Sequence, residues 1–408
     1  MRTFPVAAAS PRRLLPAILV GAVLALVALL PVTGAPAASG GSGTATQSNT
    51  GPFDKHGMWI WYVSKSQGGS VPAIIAKAKK VGIGSVYIKA GDGTSPWSQF
   101  TSSLINQLHG AGLDVCAWQF VYGNSPRGEA QVGAAAVAKG ADCLIIDAEG
   151  DYEGKYASAS KYMNALRAKI GPSVPVSLAG FPYVDYHPGF PYSVFLAPGA
   201  ADANQPQMYW KTIGASVAGN YAHTYLYNRV YKRPIYPIGQ TYQAPGAAGI
   251  RKFRSIALNY GASGVSWWDW QETSGSEWRA LQAPVARVAG FTPSGAYPTL
   301  KKGSKGDLVV QAQELLVGAG QTQLPVTGIF GGGTAGAVAA FQSSKGIGAD
   351  GVLGTTTWRA LLSYTPAGVN WAERSRSRAG VARAAHPAAP LSAGLPARRD
   401  EIPARLGR

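Results

Sequence analysis

From Gly57 to Ala289 the chain alternates two kinds of segment. A short run rich in Val, Ile, Trp and Tyr is followed by a longer helical stretch rich in Ala, Leu and Lys. The strand candidates are "GMWIWYV", "SVYIKAG", "DVCAWQFVYG", "DCLIIDAEG", "VPVSLAGFPY", "NQPQMYW", "RPIYPIGQTY" and "GVSWWDWQE". Between them the pattern predicts helices over "VPAIIAKAKKVG", "FTSSLINQLHGAG", "GEAQVGAAAVAKG" and "KYASASKYMNALRAKIG", then over roughly Ala215–Arg229, Ala247–Tyr260 and Ser276–Val288. Several end on Gly, the expected C-terminal signal. Eight strand–helix units in about 235 residues predict an α/β fold of the (β/α)₈ TIM-barrel type, whose usual size is about 250 residues. A doubly wound open sheet would seldom use eight such regular units. The Gly-rich phosphate loops of nucleotide-binding folds are also absent, since "AGDG" at Ala90 lacks the spacing.

The chain ends read differently. Residues 1–37 carry a positive start (Arg2, Arg12, Arg13), the apolar run "LLPAILVGAVLALVALL", and small residues at Ala35-Pro36-Ala37, the pattern of a signal peptide. An uncleaved anchor is the alternative, since the run is long enough for a short membrane span. Residues 38–52 form a flexible Gly/Ser/Thr linker, 53–290 the barrel, 297–364 a small second domain, and 365–408 a basic Ala/Pro/Arg-rich tail expected to be disordered. No second apolar run approaches membrane length, so no membrane contact is expected once the leader is gone.

Charge narrows the partners. The net charge is +17, and about +5 of it lies in Asn370–Arg408. Such an excess suits a polyanionic surface such as a bacterial wall, whereas export argues against nucleic acid. Cys116 and Cys143 fall on neighbouring predicted strands, which leaves a disulfide and two reduced core thiols both open. No cofactor or metal site is read from the sequence, and the oligomeric state stays open.

A barrel of this kind places its site where the strands end. The polar residues delivered there are Lys89 and Asp92 from the second strand, Gln119 and Tyr122 from the third, and Asp147 and Glu149 from the fourth. Tyr183 and Asp185 follow from the fifth, Gln207 and Tyr209 from the sixth, and Trp267, Trp268, Asp269 and Trp270 from the eighth. Aromatic rings beside carboxylates and amides suit a sugar, because ring faces stack on pyranose C–H surfaces and amides bond hydroxyls. Residues i and i+2 of a strand share a face, so Asp147 and Glu149 should both look into the mouth. Glycoside hydrolysis needs a protonated carboxyl at the leaving oxygen and a second group to stabilise or attack the oxocarbenium-like centre. Glu149 is the candidate acid and Asp147 its aide. Lys89, Gln119, Tyr183, Gln207, Tyr209, Trp267 and Asp269 are candidate substrate contacts. The bland alternative is a pair of carboxylates capping a loop, continued by Asp151 and Glu153.

"VYIKAGDG", "CAWQF" and "LIIDAEG" resemble the family 25 glycoside hydrolases, the barrel-type lysozymes that cut between N-acetylmuramic acid and N-acetylglucosamine. "DCLIIDAE" is also similar to the Asp-x-x-Asp-x-Asp-x-Glu of family 18 chitinases, with Asp142, Asp147 and Glu149 matching and Ile145 departing. Family 25 enzymes carry an Asp early on strand one. Here Met58 or Trp59 stands near that place and Asp54 lies upstream. One mechanism survives this loss: a 2-acetamido group on the sugar serves as nucleophile, oriented by Asp147, while Glu149 protonates the leaving oxygen. Asp269 is a reserve carboxylate.

In the second domain "TGIFGGGTAGAV" from Thr327 and "DGVLGTTTWRAL" from Asp350 repeat one another. Helices are expected at about Val309–Gly318, Thr334–Lys345 and Thr355–Leu362, with Thr334 or Thr357 as N-caps. "LKKGSKGDLVVQAQELL", "GIFGGGTAGAVAAFQSSKGI" and "DGVLGTTTWRALL" closely resemble the peptidoglycan-binding type 1 domain, with Thr327 in place of the usual Asp. The resemblance implies binding to cell-wall peptidoglycan. Phe330, Phe341 and Trp358 read as core. The leading expectation is a secreted, wall-associated peptidoglycan hydrolase of muramidase or glucosaminidase type. Its rivals are a non-catalytic wall-binding protein with a degenerate barrel, and a hydrolase of another exported polysaccharide.

Overall fold

A computed structural model describes residues 51–371. The expected leader, the linker up to residue 50 and the tail from residue 372 lie outside the described residues. Among the described residues, no helix is long and apolar enough to cross a membrane.

Eight parallel strands form the barrel: β1 (His56–Ile60), β2 (Ser85–Asp92), β3 (Asp114–Val121), β4 (Cys143–Ala148), β5 (Val176–Gly180), β6 (Ala203–Pro206), β7 (Ile238–Gln240) and β8 (Val265–Trp268). Each of the strands β1 to β5 pairs with the next, and β7 pairs with β8, which pairs with β1. Two isolated bridges, Asn204↔Ile235 and Gln207↔Ile238, join β6 to β7 and all but close the ring. Both faces of such a sheet are buried, which is why these strands read as continuous apolar runs. Parity then sorts the side chains. Trp59, Tyr87, Cys116, Trp118, Cys143, Ile145 and Trp268 fill the interior, while Met58, Ile60, Val86, Ile88, Ala117, Leu144, Ile146 and Trp267 face the helices. Gly57 makes room for this aromatic filling, since a Cβ there would lie 2.7 Å from the Tyr87 ring. Cys116 and Cys143 are register partners on β3 and β4, their Cα atoms 4.6 Å apart, and they form a disulfide inside the barrel.

The outer layer contains α1 (Val71–Val81), α2 (Ser102–Gly110), α3 (Pro126–Ala138) and α4 (Tyr156–Ile170) after the first four strands. Only a single turn, α5 (Tyr192–Phe195), follows β5; α6 (Trp210–Ile213) and α7 (Val217–Asn228) follow β6. The last two are α8 (Ala247–Asn259) and α9 (Gly275–Gln282). The α9 helix stops well short of the expected Val288, because Ala283 is extended ahead of Pro284.

The small domain contains α10 (Asp307–Gly318), α11 (Gly332–Ser344) and α12 (Thr355–Leu361). Its helices start from Gly306, Gly331 and Gly354, so the threonines expected to cap them do not. Thr334 and Thr357 instead accept hydrogen bonds from the buried amides of Gln313 (2.9 Å) and Gln342 (3.0 Å). The same amide oxygens accept Gly328 N–H (2.8 Å) and Gly351 N–H (2.9 Å), so each repeat loop is clamped by a glutamine from the preceding helix. Phe330, Phe341 and Trp358 are core, as the sequence suggests.

This domain packs on the barrel beside the shortest crossover. The α10 helix meets α5, the loop after β5 and the turn after α7, and every residue from Asp307 to Leu316 is buried. Asp307 accepts hydrogen bonds from Ser193 N–H (2.9 Å), Ser193 Oγ (2.8 Å) and the Tyr231 hydroxyl (2.8 Å), and Tyr156 adds another. Gln311 donates to Val230 O at 3.2 Å. Gly306, at φ 104°, lies against Pro188 with no room for a Cβ. Residues 365–371 add to the contact, with Ala367 N–H on Glu314 O (2.9 Å) and the Trp371 ring 4.6 Å from Tyr156.

Burial pushes the Asp307 carboxyl up to about 6, against the opposing pull of its hydroxyl and amide donors. A folded-state value above the unfolded one means that the proton stabilises the folded state. The contribution is complete below about pH 4 and is lost as the pH rises through 6, a change of about 3 kcal/mol. Urea unfolding at pH 4.5 and pH 7 should therefore show wild type losing about 2 kcal/mol more stability than Asp307→Asn, since about 1 kcal/mol is already lost by pH 4.5. Equal changes in both proteins would show that Asp307 does not titrate in the interface.

Candidate active site

The interior face of β4 carries Cys143, Ile145 and then Asp147, and Glu149 follows just beyond the strand end. Asp147 is 4% exposed, whereas Glu149 is partly open to solvent. Gln207, one residue past β6, reaches both: its Nε2 donates to Asp147 Oδ1 and to Glu149 Oε1, each at 3.0 Å. The amide fixes two neighbouring carboxylates in one orientation. Tyr209 lies in the same interior cluster, edge-on to Tyr242 at 5.4 Å, and the Tyr242 hydroxyl is bonded to Thr212.

A second charged group comes from β2. The Lys89 ammonium lies 2.6 Å from Asp92 Oδ2, and the Tyr122 hydroxyl donates to Asp92 Oδ1 at 2.7 Å. Lys89 also lies over the rings of Trp97 (4.4 Å), Trp118 (4.9 Å) and Trp61 (5.5 Å), so the ammonium is held by ring faces as well as by a carboxylate. Beneath it Trp59, Trp118 and Trp268 pack together with centroids 5.4–5.6 Å apart. The floor is thus aromatic and the rim carries the charge.

The other expected contacts lie elsewhere. Gln119 has the parity of Ala117 and Val121 and points at the helices. Its Nε2 donates to Gly93 O (2.8 Å) and Glu129 O (2.9 Å), and its Oε1 accepts from Tyr162 (3.4 Å). Trp267 also faces outward, packing on Phe253 at 5.2 Å and donating to His56 Nε2 at 2.8 Å. Burial, with Arg254 nearby, lowers His56 to about 3, which keeps it a neutral acceptor. Tyr183 leaves the barrel on the loop after β5 and stacks on His223 at 3.9 Å. Asp269 is fully buried, and its backbone carbonyl receives the Thr241 and Thr273 hydroxyls. Asp54 lies before β1, bonded by Tyr236 and Ser263. Three partly exposed rings that the sequence did not single out, Trp61, Tyr62 and Trp97, stand beside the Lys89 group. The signal for Trp61 was present, since in "GMWIWYV" it shares the parity of Trp59.

Residues 305–361 match the family described as "Putative peptidoglycan binding domain". The zinc D-Ala-D-Ala carboxypeptidase of Streptomyces albus G is 34% identical over 111 residues, 24% of this chain and 44% of that protein. The chain therefore spans less than half the length of this curated relative. Among solved structures, a chitinase from Chromobacterium violaceum (14% identity, TM-score 0.41) covers 56% of this chain and 98% of its own. A class V chitinase from Pseudomonas fluorescens covers the same shares at 13% identity and TM-score 0.43. The spore cortex-lytic enzyme SleL of Bacillus cereus (10%, TM-score 0.39) covers 56% of this chain and 74% of its own. Likenesses this distant carry no inference about activity. The chain joins a (β/α)₈ barrel to a small helical domain that matches the peptidoglycan-binding family.

Gln119→Met and Trp267→Phe should each destabilise the fold by about 1–3 kcal/mol, through the polar groups they leave unpaired. Neither should change the affinity for a glycan oligosaccharide. Denaturant unfolding together with calorimetric binding checks both; a selective loss of binding would return either residue to the site.

Proposed function

We propose that the barrel is a glycoside hydrolase acting on the glycan strands of peptidoglycan, exported to the wall and held there by the small domain. The observation that carries this is the pairing of Asp147 and Glu149 at the end of β4, both bonded by Gln207 above an aromatic floor. Glu149, partly open to solvent, donates its proton to the leaving glycosidic oxygen. Asp147, buried, orients the 2-acetamido group, whose oxygen attacks the anomeric carbon as the bond to the leaving group breaks. Water then opens the cyclic intermediate, and Glu149 takes back a proton. Both peptidoglycan sugars carry the acetamido group, so muramidase and glucosaminidase activity are both compatible with this route.

One observation favours the rival, a wall-binding barrel without turnover. The interior positions of β1 are Gly57 and Trp59, with Trp61 next, so strand one offers no carboxylate to the mouth. The two are separated by incubating wild type and Glu149→Gln with purified peptidoglycan and measuring new reducing ends. The hydrolase should lose about 100-fold or more of its rate with the acid removed. Equal release from both proteins would leave only the binding function.

A further inference from the structure

We propose that Trp61, Tyr62 and Trp97 form a separate subsite for a pyranose ring that carries a carboxylate, with Lys65 as the group that reads the charge. The proposal deepens the glycan-hydrolase reading and rests on it for the location of the bond that is cut. Trp61 and Tyr62 stack with centroids 5.2 Å apart and planes 23° apart, and Trp97 lies 5.2 Å from Tyr62. All three are partly exposed.

The backbone beneath these rings is pinned by side chains. Gln99 Nε2 donates to Trp61 O (2.8 Å) and Lys89 O (3.0 Å), while its Oε1 accepts Val63 N–H (2.9 Å). Gln271 Oε1 accepts Tyr62 N–H at 3.3 Å. Two amides from separate loops thus hold an aromatic wall in place beside the mouth. Rings fixed in advance lose little freedom when a sugar stacks on them, which is what a binding surface requires.

Charge gives the wall a direction. Lys89 is neutralised by Asp92. The exposed Lys65 ammonium lies 4.5 Å over the Tyr62 ring, and none of the ion pairs among the described residues includes it. Asp147, beside the proton-bearing Glu149, makes its own side of the mouth anionic. A carboxylated ring is repelled there and attracted to Lys65, so the glycan lies with an uncharged ring at the carboxylates and a charged one on the wall. The carboxylate comes either from the sugar's own acidic substituent or from a peptide attached to it.

The test uses calorimetry on the catalytically silent Glu149→Gln protein, so that it is independent of turnover. Three oligosaccharides of equal length serve as probes: uncharged N-acetylglucosamine, peptide-free glycan with free carboxylates, and peptide-bearing glycan. Low-salt affinity should favour a carboxylated probe by about two- to five-fold. Lys65→Met should abolish that preference without weakening the neutral probe. Trp97→Leu should weaken all three by roughly two- to ten-fold. Preference for the peptide-free probe assigns the charge to the sugar, and preference for the peptide-bearing probe alone assigns it to the peptide. No preference, or one that survives Lys65→Met, overturns the subsite, while reducing-end release by wild type would still stand or fall separately.

Discussion

A nearly closed ring of parallel strands gives each side chain one of two places, the packed interior or the helix-covered outside, and in either an unpaired polar group is costly. Most polar interior atoms low in the barrel are paired: Ser85 bonds Pro52 O, Ser266 receives the Trp59 indole, and Ser177 receives the Gln205 amide N–H, while Gln205 Oε1 is left without a partner. Charge can collect only where the ring opens. Asp147 is the last interior position of β4, above Cys143 and Ile145, and Glu149 is the first beyond it. Their position therefore follows from strand period and closure, and Gln207 completes it from two strands away.

The short crossover after β5 governs the other half of the molecule. A one-turn α5 leaves barrel surface that a full helix would otherwise cover. The α10 helix covers it with residues buried on every side, including a carboxylate that meets four barrel donors. Removing one partner of such a buried polar cluster costs more than the cluster contributes net. The small domain is thus built onto the barrel, and on the proposed function the faces left to meet a wall polymer are those of α11, α12 and their loops.

Much of this was legible in the sequence because long periodic patterns report burial. All eight strands and the small-domain repeat were visible in that way. Position relative to the mouth was harder. Gln119 and Trp118 are neighbours in "CAWQF", and only parity, counted from Cys116, tells that the tryptophan faces in and the glutamine out. The same count separates Trp268 from Trp267. Thr334 and Thr357 looked like caps because Thr before a helix often is one; they turned out to be acceptors for glutamines 21 and 15 residues earlier. Long-range partners of that kind leave no local signal, and neither does the docking of Asp307.

The missing strand-one carboxylate has a structural cause. Trp59 occupies the interior place on β1, with Tyr87, Trp118 and Trp268 each 5.5–5.6 Å from its ring and its indole bonded to Ser266. An Asp there would empty much of that cluster and bury a charge without a partner, each costing several kcal/mol, on the order of 3–5. The aromatic floor and a strand-one acid are therefore alternatives at this site. A barrel that has committed to the floor keeps its carboxylates on β4 and at the end of β2, where Asp92 is already engaged by Lys89 and Tyr122. On the proposed function the nucleophile has to arrive with the substrate, which restricts the chemistry to sugars bearing a 2-acetamido group.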